Sequence, residues 1–102
     1  MTQPSVDFLF QEAMLLHRRG AIADAAAAYA RILRHNPRHV DTLCLLGMAY
    51  GQLGRWTDAV EMLRKAVRVA PRHAPAHHLL ATAFRDCGNT DEAVKSFNRA
   101  IA

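Results

Sequence analysis

The sequence predicts an all-α fold, a solenoid of stacked helical hairpins, with three units of which the last is truncated. Three observations predict it. First, "GAIADAAAAYARILRHNP" (Gly20 to Pro37) and "GRWTDAVEMLRKAVRVAP" (Gly54 to Pro71) repeat their glycine, acid, alanine and proline at an interval of 34 residues. Second, on that period the chain divides into 6–39, 40–73 and 74–102, the last unit holding 29 residues. Third, each unit contains two apolar sets stepping by three and four residues, the spacing of one face of a helix.

The elements follow in order, with column n denoting the nth residue of a unit. The first helix of each unit carries Leu9, Leu43 and His77 in column 4, Ala13, Gly47 and Ala81 in column 8, and Leu16, Tyr50 and Phe84 in column 11. In the middle unit its stripe reads Leu43, Leu46, Gly47, Tyr50 and Leu53. Glycine closes that helix in column 15 (Gly20, Gly54, Gly88), where a left-handed residue stops it. The second helix places Ala25, Ala59 and Ala93 in column 20 and Tyr29, Leu63 and Phe97 in column 24. Pro37 and Pro71 in column 32 then separate one unit from the next. Small residues in columns 8 and 20 let the paired helices approach, and large ones in columns 11 and 24 fill the space beside them. A single hairpin cannot bury its own stripe, so neighbours must stack, and three units are about the minimum that stands alone.

The totals agree with one packed domain over residues 1–102. The chain is 51% apolar and 22% charged, within the ordinary globular range. No apolar run reaches the roughly 18 residues that span a bilayer, and the N-terminal stretch carries acids where a secretory signal carries a basic flank. A cytoplasmic location is the expectation. Cys44 and Cys87 are too few and too far apart for a disulfide framework or a zinc site.

Leu43, Leu46-Gly47, Tyr50, Ala59, Leu63, Ala66 and Pro71 together resemble the tetratricopeptide repeat, over residues 6 to 102. Departures from its pattern are leucine for the frequent column 4 tryptophan in Leu9 and Leu43, His77 in the same column, and Glu12 in the usual leucine place of column 7. The resemblance implies that the solenoid winds as a right-handed superhelix and that the first helices line its concave face, where ligands lie. Carried over by column, the partner-binding candidates are Phe10, Met14 and His17, then Cys44, Leu45, Met48 and Gln52, then His78, Leu79, Thr82 and Arg85. The middle of this surface is apolar, and methionines suit a groove that adapts to a peptide or helix.

The same mapping removes two of the family's known modes. Members that grip the acidic C-termini of chaperones use lysine, asparagine and arginine where this chain has Phe10, Met14, Leu45, Pro75 and Leu79. None of these can meet a carboxylate with a charge. The asparagine ladder of sugar-transferring members is replaced by Gln11, Leu45 and Leu79.

The net charge of +4 includes a basic stripe in columns 26, 29 and 33, with Arg31, Lys65 and Arg99 in the first of these. Asp24, Asp58 and Glu92 open the same helices, so the dipole explains the arrangement and no nucleic-acid partner is expected. Adjacent His77 and His78 diverge on a helix, and Pro75 interrupts the regular geometry between His73 and His77, so no metal or other cofactor is expected. Cys44 and His78 share column 5 of adjacent units, but no orienting residue or oxyanion donor accompanies them, and no catalysis is expected.

The last unit stops before its proline and leaves Val94, Phe97 and Ile101 uncovered, which the reading assigns first to the N-terminal part of a longer chain and second to a self-association end that makes a homo-oligomer. The reading is therefore a non-catalytic protein-binding module that takes a peptide or helix of a partner, with self-association as a scaffold a further expectation. The alternative, drawn from the resemblance, is the substrate-presenting head of a larger enzyme such as a glycosyltransferase or sulfotransferase.

Overall fold

The computed structural model describes residues 5–86, and its regular elements there are all helical. They are α1 (Val6–Arg18), α2 (Ile22–His35), α3 (Val40–Gln52), α4 (Trp56–Val69) and α5 (Ala74–Asp86). Each helix packs on the next in sequence, and α3 also touches α5, as a stacked series of hairpins requires. Cys87, Gly88, Val94, Phe97 and Ile101 lie outside the described residues.

The two hairpin turns are built alike. Gly20 and Gly54 hold φ of 83° and 77°, the left-handed region that side chains disfavour. At the first turn the Gly20 N–H donates to the His17 carbonyl and the Ala21 N–H to the Leu16 carbonyl. At the second, Gly54 and Arg55 donate in the same way to Gly51 and Tyr50. This paired pattern is the Schellman motif, and it uses up carbonyls that the end of a helix leaves open. Leu53, read above as part of the stripe, instead falls just beyond α3 and is 40% exposed, because the turn begins one residue earlier.

Close approach within the hairpin is visible at Gly47, in column 8. A methyl group there would lie 2.6 Å from Leu63 Cγ, so α3 and α4 meet where only hydrogen fits. The core is continuous along the stack. Leu9, Ala13, Ala25, Tyr29, Ile32, Leu46 and Ala49 form its first part, while Leu63 with Leu80, Ala83 and Phe84, and Leu43 with Ala66 and Ala76, carry it onward.

The helix ends match their charges. Asp24 and Asp58 sit in the first turns of α2 and α4, and Arg34, His35 and Arg68 in their last turns. α1 is capped by Ser5, whose hydroxyl accepts the Phe8 N–H, and α3 by His39, whose Nδ1 accepts the Thr42 N–H at 3.3 Å.

Candidate functional site

The sequence-derived groove residues fall on α1, α3 and α5, the three first helices. Column 9 gives Met14, Met48 and Thr82, one from each helix, and all three are half-buried. Leu45 and Leu79 in column 6 are half-buried too. A half-buried side chain keeps one flank in the core and leaves the other available for contact.

Four of these residues also help to hold the units together. Phe10, Met14 and Leu45 pack against the first part of the core, and Leu79 against its later parts. The Phe10 ring lies 6.3 Å from that of Tyr29 and meets the His39 ring edge-on at 5.4 Å, so it fills the seam between the first two units. Cys44 is 5% exposed and offers a ligand little surface. Burial, with the Asp41 carboxylate adding to it, pushes its thiol up to about 11, so it stays protonated at neutral pH. His78, Gln52 and Arg85 are exposed.

His17 and Gln52 are joined. His17 Nε2 lies 2.6 Å from Gln52 Oε1, and its Nδ1 lies 3.0 Å from the Tyr29 hydroxyl. A neutral ring that donates from Nε2 to the amide oxygen and accepts the phenol proton at Nδ1 satisfies both contacts. Burial raises the Tyr29 phenol above its ordinary value, with Arg18 opposing, so it remains a proton donor in this chain of bonds. One side chain thereby ties α1, α2 and α3 together at the end of the groove.

The histidines near the second junction have structural partners. His77 is 6% exposed and its Nε2–H donates to the Pro71 carbonyl at 2.5 Å, while its Nδ1 has no partner among the described residues. His73 Nε2 lies 3.8 Å from an Asp41 carboxylate oxygen, joining the two ends of the middle unit. Among the described residues no three His, Cys, Asp or Glu side chains converge as metal ligands, and no helix is long and apolar enough to cross a membrane.

Sequence reasoning missed the apolar residues that are most exposed, Phe8 at 55% and Leu15 at 49%, both on α1. Their columns gave the signal: the corresponding positions of the other units are small or polar, and Glu12 between them breaks the usual apolar choice.

Hairpins that repeat their columns, share one core and leave a track of side chains along their first helices define a helical-repeat protein of the scaffold class. The description Tetratricopeptide repeat matches residues 44–102, more than half of the chain, and this chain belongs to that family. Among solved structures, a crystal structure of MamA matches with a TM-score of 0.86 at 25% identity, over 95% of this chain and 57% of that one. A second MamA crystal structure gives the same score and identity, with 53% of its chain covered. An arginine-to-glutamate mutant of MamA, at 20% identity and a TM-score of 0.84, shares the fold over 97% of this chain and 72% of that one. This chain therefore spans little more than half the length of the first two MamA chains. No curated protein gives a significant match.

Proposed function

We propose that this chain is a non-catalytic interaction module that holds a peptide or helix of a protein partner along the inner faces of α1, α3 and α5. The observation that carries the reading is that Met14, Met48 and Thr82, which share one column of three successive first helices, are all half-buried, as are Leu45 and Leu79 beside them in sequence column 6. Such a track offers apolar contact at a regular spacing, which an amphipathic helix or an extended segment can match with alternate side chains. Methionine's unbranched side chain lets the surface adapt to its occupant. The polar end of the track, with His17 and Gln52 already bonded to one another, favours an occupant that is apolar in its middle rather than acidic throughout.

The test is to select binders from a random peptide display library and to map one of them by amide chemical shifts on the isotope-labelled chain. Shifts concentrated on Met14, Met48 and Thr82 support the groove. Shifts confined to α2 and α4 contradict it.

A further inference from the structure

The columns that join one unit to the next are covered on α3 and α5 and partly open on α1. Columns 3, 4, 7 and 10 of a first helix receive the second helix of the preceding unit. In α3 they hold Thr42, Leu43, Leu46 and Ala49, exposed by 0, 1, 2 and 0%. In α5 they hold Ala76, His77, Leu80 and Ala83, none above 6%. In α1 the same columns hold Phe8, Leu9, Glu12 and Leu15, of which Phe8 is 55% and Leu15 49% exposed. A groove of about 260 Å³ runs along them, reaching Leu16 and Ala28 and lined by the charges of Glu12, Arg19 and Arg31.

We infer that this face of α1 is the acceptor half of a head-to-tail contact between two copies of the chain, with segment 90–102 of the second copy as the occupant. The internal junctions define what fits such a seat. Columns 24, 27 and 28 of the second helix supply it: Tyr29, Ile32 and Leu33 cover Leu46 and Ala49, while Leu63 and Val67 cover Leu80 and Ala83, with Ala66 against Ala76. Segment 90–102 repeats those columns as Phe97, Ala100 and Ile101. Its structure lies outside the described residues, so the match rests on sequence alone. The contact continues, between copies, the interface that already stacks the units within one copy.

Donor and acceptor are different surfaces, so the contact is heterologous and adds copies in a line or ring instead of stopping at a twofold dimer. Exposed apolar groups on α1 are also its anchor, because an apolar face of this extent on a monomer marks a contact.

The experiment is light scattering on the 102-residue chain across a dilution series, beside Leu15→Glu and Phe97→Glu. Leu15 is half-exposed, so its change leaves folding intact, as circular dichroism will check. The proposal expects assemblies whose mass grows with concentration and an association at least tenfold weaker in Leu15→Glu. Phe97→Glu can fail by unfolding the last unit, so a second measurement removes that ambiguity. Two Cys87→Ser proteins, one with Leu15→Cys and one with Ile101→Cys, are mixed and oxidised. A link between positions 15 and 101 supports the proposal. A monomer at every concentration, association unaffected by Leu15→Glu, or links between two copies of position 15 overturns it. Variants of Met48 are expected to leave the assembly unchanged, which separates this contact from the peptide groove.

Discussion

Gly47 shows how far a single hydrogen atom decides the packing of two helices. Helix propensity alone favours alanine over glycine by about 1 kcal/mol. Yet the added methyl would stand 2.6 Å from Leu63 Cγ and 2.9 Å from its Cδ2, and forced overpacking costs about 1–3 kcal/mol. Gly47→Ala is therefore expected to lower stability by up to about 2 kcal/mol in chemical denaturation; a gain would contradict the close approach. His77 works in the opposite sense. Its Nδ1 is buried with no partner among the described residues, at a cost of about 1–3 kcal/mol, whereas its Nε2–H bond contributes about 1 kcal/mol. The Pro71 carbonyl that accepts that bond belongs to an exposed residue, so water can replace the donor. His77→Leu should raise stability by about 1 kcal/mol, read as a higher denaturation midpoint, and a loss would show that the bond to Pro71 outweighs the orphaned nitrogen. Cys44 gives a pH prediction. Its folded-state value is raised to about 11 from 9.0, so the native state keeps the proton that the unfolded state loses, and its contribution to stability declines as pH rises from about 9 to 11. At pH 8 peptide mapping after alkylation should find Cys44 unmodified in the native protein and modified in urea.

At the scale of elements, the paired turn glycines set where hairpins close. Gly54→Ala keeps its surroundings clear, since nothing lies within 4 Å of the new methyl, but forces alanine to a φ of 77°. A cost of about 1 kcal/mol is expected from the backbone alone, read as a lower thermal midpoint with unchanged helicity. The helices themselves were legible in sequence because glycine, proline and the three-four spacing of apolar residues act locally. Residues Val6, Val40 and Ala74 open both the sequence units and the helices. The end of α3 was less legible: Leu53 continues the apolar spacing, but the Schellman turn takes it out of the stripe. The cap by His39 and the tie from His17 to Tyr29 and Gln52 depend on distances between helices that periodicity does not contain. The proposed groove was half legible. Columns nominated its residues, but only the packing shows that Phe10 meets the His39 ring and that Cys44 is closed off.

The whole molecule is long and thin, 49 × 26 × 17 Å, because each unit stacks only on its neighbours. Stacking of this kind brings α3 against α5, and the proposed track follows the first helices along the long axis. Its stability is shared between nearest neighbours, so changes at the Met48 surface should not propagate through the stack. The most direct measurement of the central claim is the affinity of a display-selected peptide for the unaltered chain and for Met48→Glu, by calorimetry, with circular dichroism confirming equal helicity. Placing a carboxylate beside an apolar occupant desolvates a charge, and the account predicts at least a tenfold loss, about 1.4 kcal/mol. Equal affinity in the two folded proteins would contradict the groove.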